Sequence, residues 1–149
     1  MRLLFFTSLF GLILSFSVGL RAEDAPGVDI TVTIPNVPGA KGSLRVGLYD
    51  SAATFVKKPL PQSVAVAADR AGQFVVTLSG VTPGRYAIVV IHDLNNNGKL
   101  DKNLFGMPKE PLAFSNDPEI PRGVPAFDQC AFDVTDQPIA LTISLILEE

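Results

Sequence analysis

At 149 residues the chain has room for one domain, and its single cysteine, Cys130, excludes an intramolecular disulfide. A formal charge of −3 and the absence of a basic cluster argue against nucleic acid as a partner. Hydrophobic residues make up 47% of the sequence, enough to bury one core without metal or disulfide staples.

The first segment, Met1 to Ala22, stands apart. Arg2 gives a positive start, Leu3 to Leu14 carries no charge, and the small residues Ser15, Ser17, Gly19 and Ala22 precede the acids Glu23 and Asp24. That order is the layout of a secretory signal peptide over residues 1–22. The competing reading is an uncleaved anchor, since Leu3 to Leu20 is close to the shortest span that crosses a bilayer. Small residues at the exit favour cleavage, which leaves residues 23–149 as a soluble domain, with no amphipathic helix to hold it on a membrane.

Beyond residue 27 the pattern has period two rather than 3.6. Val28–Ile34 and Ser43–Tyr49 alternate apolar and polar residues and are expected to pair as a hairpin across the Pro35–Gly42 turn. Asp50 to Pro61 reads as a loop. Gln62–Ala68 and Gln73–Leu78 follow as strands, and Pro83-Gly84 turns the chain into Arg85–His92. That last run is apolar on both faces, as befits a central strand covered on each side. Phe127–Val134 and Ile139–Leu147 complete about seven strands with no helix among them. The expectation is an all-β domain, a single antiparallel β-sandwich of immunoglobulin-like or transthyretin-like type, with a small closed barrel as the alternative. Cys130 is expected to be a packed thiol on a strand.

Asp93 to Ala126 has no strand pattern and is dense in Asn, Gly and Pro. A loop of that length in a compact domain is uncommon and usually functional or disordered. Leu94, Leu100, Leu104, Phe105, Met107, Leu112 and Phe114 give it apolar weight to fold back on the sheet, so it is expected to be ordered.

Its first nine residues, Asp93-Leu94-Asn95-Asn96-Asn97-Gly98-Lys99-Leu100-Asp101, follow the spacing of a calcium-binding loop. Asp93, Asn95, Asn97 and Asp101 would supply side-chain oxygens, Lys99 its backbone carbonyl, and Gly98 the sharp reversal. Position twelve should be a bidentate Glu and is Leu104; Glu110 or Asp117 is the candidate for the missing carboxylate. So few charges imply weak Ca2+ binding, on the order of 10⁻⁴ to 10⁻³ M. An Asn-rich turn closed by its own side chains explains the same residues without metal.

The stretch Pro83 to Asp101, with its continuation Asn103-Leu104-Phe105-Gly106-Met107-Pro108-Lys109-Glu110-Pro111-Leu112-Ala113-Phe114-Ser115-Asn116, resembles the family called domain of unknown function 2141. The likeness runs from Ile30 to the last strand, with Leu112-Ala113 where the family commonly has Tyr-Gly. It implies a bacterial source and a periplasmic or extracellular location, and it brings no catalytic assignment.

Catalysis has little support in the residues. His92 is the only histidine, and a triad would need Ser115 or Cys130 beside it, yet neither a G-x-S-x-G elbow nor a cysteine-protease signature is present. The expected function is a non-catalytic binding or interaction module for an envelope protein or small ligand. His92, Gly98, Glu110, Phe114, Ser115 and Asn116 are its loop residues. A purely structural envelope domain is the first alternative, and a hydrolase using His92 the second.

Overall fold

A computed structural model describes residues 27–119 and 123–146. The signal-peptide reading of residues 1–22 lies outside the described residues. The architecture is nearly all β, in two open sheets; neither closes on itself, so the barrel alternative is set aside.

The first sheet has three strands. At its centre is β1 (Val28–Val37), flanked by β4 (Gly72–Val81) and β8 (Ile139–Thr142). The second sheet is built from β2 (Ser43–Tyr49), β3 (Val64–Ala67), β5 (Gly84–Asp93) and β6 (Leu112–Phe114) in the order β3-β2-β5-β6, and β7 (Phe132–Val134) joins it at the start of β5.

Alternation decides which face each strand buries. Ile30, Val32 and Ile34 of β1 and Phe74, Val76 and Leu78 of β4 meet Leu44, Val46, Leu48, Ile88 and Val90 of the second sheet in one core cluster. Each fully buried aliphatic side chain there contributes roughly 1.5–3 kcal/mol. Residues 86–90 of β5 are all buried, as the apolar run predicts, because a second cluster covers the outer face of that sheet. Tyr49, Phe55, Val89, Phe114 and Phe127 belong to it. Phe55 comes from the Asp50–Pro61 loop and packs on Tyr49, Phe114 and Phe127 with ring centroids 5.5, 6.1 and 5.8 Å away.

Several expectations change. The β1–β2 hairpin is absent: β1 pairs with β4 and β8, while β2 pairs with β3 and β5. The sheet is not wholly antiparallel, because β8 runs parallel to β1. Beyond Thr142 the ladder stops, and the Asn36 side chain continues it, donating to the Leu145 carbonyl and accepting the Leu145 N–H, both at 2.8 Å. The amide group thus stands in for one more strand residue.

The region expected to be strandless contains β6, which pairs with Val89–Ile91, and a bridge between Lys102 and Pro108. Phe127–Cys130 forms one helical turn, α1, so Cys130 is not on a strand, though its thiol is fully buried. The Gln129 side chain closes this turn by accepting the Ala126 N–H at 2.8 Å.

Candidate functional site

The end of β5 delivers His92 and Asp93, both fully buried, into the start of the long loop. Asp93 acts as the loop's internal cap: its two carboxylate oxygens accept the Asn97 N–H at 3.1 Å and the Gly98 N–H at 2.8 Å. Gly98 turns at φ +77, the sharp reversal expected at that position. Asn95 and Asn97 each accept the N–H two residues on, at 3.0 and 2.8 Å, and each donates its amide to Asp101, at 2.6 and 2.9 Å. These are Asx turns, which the side-chain chemistry of asparagine favours.

Glu110, also buried, reaches back to accept the Leu94 N–H at 2.9 Å and the Asp101 N–H at 3.1 Å. The carboxylates of Asp93, Asp101 and Glu110 therefore each engage a donor on the loop itself. Asp93, Asn95, Asn97, Asp101 and Glu110 are linked by hydrogen bonds within the loop, but among the described residues no three acidic, histidine or cysteine side chains converge as a metal site, and the Asn amide nitrogens rather than their oxygens face Asp101. Lys99 gives its N–H to Asn97 and sends its side chain to a groove on the neighbouring sheet.

His92 and Ser115 are held apart. The His92 Nε2 lies 2.6 Å from the Lys41 carbonyl and must donate to it, which leaves Nδ1 buried with no partner. Ser115 lies beside the middle of β5. Its hydroxyl accepts the Ile88 N–H at 2.9 Å and donates to the Cys130 carbonyl at 2.5 Å. About 13 Å of strand separates the two attachment points on β5. Asn116 donates to the Ala131 carbonyl at 2.7 Å, so Ser115 and Asn116 together tie β6 to the helical turn. Burial pushes the Cys130 thiol up to about 11, away from the thiolate a nucleophile needs.

A concave surface lies on the outer face of the second sheet, a groove of about 1290 Å³. Its floor follows the register of the strands: Ala65, Arg45, Ile91 and Leu112 form one rung, and Gly47, Val89 and Phe114 the next. The Tyr49 ring lies over Gly47, where an added Cβ would stand 3.0 Å from it. One wall is the loop between Gly98 and Pro108. Asn103 shapes its tip by accepting the N–H groups of Phe105 and Met107 at 2.9 and 3.0 Å.

That tip does not fold back on the sheet as its composition suggests. Leu104 is fully exposed, Phe105 is 89% exposed, and Met107 is more than half exposed. Five of the seven large hydrophobic residues exposed among those described line the groove: Val56, Phe105, Met107, Val124 and Ile146. Val56 also sits at φ +54, a strained conformation for a β-branched residue.

Arg45, Tyr49, Asn103, Phe105 and Met107 escape a reading of the sequence as site residues. On the strands, Arg45 and Tyr49 look like ordinary members of an alternating pattern. The only signal for the tip is its unbroken run Leu104-Phe105-Gly106-Met107, which is as apolar as a core segment yet flanked by turn residues.

Two open sheets with a shared core, a polar loop closed by its own hydrogen bonds and no assembled catalytic triad among the described residues define a β-domain with a surface groove. The chain belongs to the family described as an uncharacterized protein conserved in bacteria (DUF2141), whose model matches residues 32–142. No curated protein and no solved structure gives a significant match to the chain.

Proposed function

We propose that this chain is an exported, non-catalytic binding module of the bacterial envelope, a β-sandwich of immunoglobulin-like or transthyretin-like type whose ligand sits in the outer groove. The observation that carries this reading is the clustering of exposed apolar side chains around one concavity. Water-exposed apolar surface is costly unless something covers it, and a contiguous patch marks an interaction site. Export is supported by the charge and apolar layout of residues 1–22. The non-catalytic reading is supported by the hydroxyl proton of Ser115, committed to a backbone carbonyl, and by the buried thiol of Cys130.

In this reading the long loop is a wall braced by its own hydrogen bonds. A weak Ca2+ site is the second reading, favoured by the turn at Gly98 and by the gathering of Asp93, Asn95, Asn97, Asp101 and Glu110. An ion there would have to take oxygens from the amides that now hold them.

The test is binding of a neutral solvatochromic dye, Nile red, to the purified protein. Saturable, blue-shifted fluorescence is expected, weakened about tenfold by the exposed-wall double variant Phe105→Ser, Met107→Ser. A protein that shows no saturable dye binding would overturn the groove reading.

A further inference from the structure

Resting on the groove reading above, the structure assigns a ligand class to that site: we propose that it takes a single-chain amphiphile with an anionic head, a long-chain carboxylate. The argument begins with Arg45. Its side chain rises from the rung it shares with Ile91, and its guanidinium lies 3.5 Å from where a Cβ on Gly98 would stand. It is half-buried, and among the described residues no carboxylate lies within ion-pairing distance of it. A half-buried arginine without a counter-charge has its donors free for a ligand and gives up less hydration on binding than a fully exposed one. Its planar fork of donors matches a carboxylate in two parallel hydrogen bonds.

The surroundings carry the same sign. Lys57, Lys99 and Lys102 also line the groove, in a chain whose overall charge is −3. Among the described residues one acid lies on the lining, Glu110, and it spends both oxygens on backbone N–H groups. Positive charge is therefore concentrated where an otherwise acidic protein exposes its apolar surface, a complementarity that selects an anion.

Beside Arg45 the floor is apolar: Ile91 and Leu112 are partly exposed, and the buried Val89, Phe114 and Tyr49 continue it at the lining's edge. An acyl chain laid along these rungs brings no polar group to them. A peptide would bring backbone amides to side chains that offer no partner, at the cost of leaving them unsatisfied. A narrow trough with a charged end thus fits a chain with a charged end.

The experiment is calorimetric titration of the purified protein with three twelve-carbon ligands kept below their micellar concentrations: dodecanoate, dodecan-1-ol and dodecyltrimethylammonium. Dodecanoate is expected to bind about tenfold tighter than the alcohol, the increment of a charge-assisted hydrogen bond. The trimethylammonium compound should bind weakest. Arg45→Met should bring the acid-to-alcohol ratio close to unity, while Arg45→Lys, which keeps the charge but not the fork, should retain part of the preference. The lysine variant also serves if the methionine variant does not fold.

Equal affinity for acid and alcohol, or a ratio unmoved in the Arg45 variants, would overturn the ligand class. Saturable Nile red binding in the same preparation would then leave the groove reading standing, and its absence would remove both. A concentration-dependent dimer that excludes the dye would assign the face to a second copy of the chain and overturn the proposal.

Discussion

Glu110 accepts the backbone N–H of Leu94 at 2.9 Å from sixteen residues further along the chain, and the same carboxylate takes the Asp101 N–H at 3.1 Å. One side chain thereby closes both ends of the asparagine-rich turn. Glu110→Gln keeps the shape but sets an amide NH2 against a backbone donor. The expected loss is about 1–3 kcal/mol of stability, the cost of leaving a buried donor unsatisfied. Amide hydrogen exchange should accelerate at Leu94 and Asp101, while amides of the β1–β4 ladder keep their protection at equal global stability.

Calcium separates the two ways of bracing this turn. Because Asp93, Asp101 and Glu110 already accept hydrogen bonds from the loop, the fold should persist in EDTA with an unchanged melting temperature. A site with a dissociation constant of about 1 mM would add roughly 1.4 kcal/mol at tenfold excess calcium. A melting shift of several degrees at millimolar calcium, absent with magnesium, would establish the ion-braced form instead.

Gly42 is the glycine with least freedom to change. It sits at φ +73, and a Cβ there would collide with the backbone carbonyl of Asp93. Gly42→Ala should cost about 2–4 kcal/mol in denaturant unfolding, combining left-handed backbone strain with displacement of the loop's first residue. Gly39→Ala, where an added Cβ meets nothing within 4 Å, is the matched control and should leave the midpoint nearly unmoved.

Val56 offers the opposite case. Its φ of +54 is strained for a β-branched residue, and its side chain is exposed on the groove rim. Val56→Asn should stabilise the protein by about 1 kcal/mol, since asparagine tolerates the left-handed region. The same change removes apolar rim surface, so Nile red should bind less tightly to a more stable protein.

Alkaline pH gives a signature of Cys130. Burial raises its thiol from an ordinary value of 9.0 to about 11 in the folded chain. Between those values the unfolded chain releases a proton that the folded chain keeps, so stability is complete below pH 9 and declines as pH rises towards 11. The loss should be of order 1–3 kcal/mol, and Cys130→Ala should flatten this part of the profile while lowering the starting stability. Tyr49 shifts the same way: burial raises its hydroxyl, against a smaller lowering by the Arg45 charge.

What could be read from residues alone follows from how local the signal was. β1, β2 and β4 carry enough period-two repeats to declare themselves, and the unbroken apolar run of β5 correctly placed it in the interior. β6 is three residues long, too short for any period, and exists because Val89–Ile91 offers it a partner. Phe127–Cys130 runs directly into the strand-like Phe132–Val134, but its ends are closed by Gln129 and by the Ser115 contact to Cys130. Partner choice was equally hidden. The Pro35–Gly42 connection looks like a hairpin turn, yet it carries the chain from one sheet to the other.

The site divides along the same line. The polar loop was visible because asparagine, aspartate and glycine at fixed offsets have a local meaning, whichever atoms they finally hold. The groove was not, since Arg45, Val89 and Phe114 come from three strands and meet only through register. Exposure of Leu104 and Phe105 runs against hydrophobicity itself and depends on the turn that Asn103 imposes.

The pairing of β8 with β1 has a consequence for the life of the chain. The central strand of the first sheet is among the earliest described residues to be made, and its neighbour is among the last; Asn36 and Leu145 stand 109 positions apart. That edge cannot form until Leu145 has been made, and contacts so remote in sequence form slowly. For a polypeptide secreted as we propose, the delay is useful: it remains a thread through translocation and acquires its final lock only on the far side.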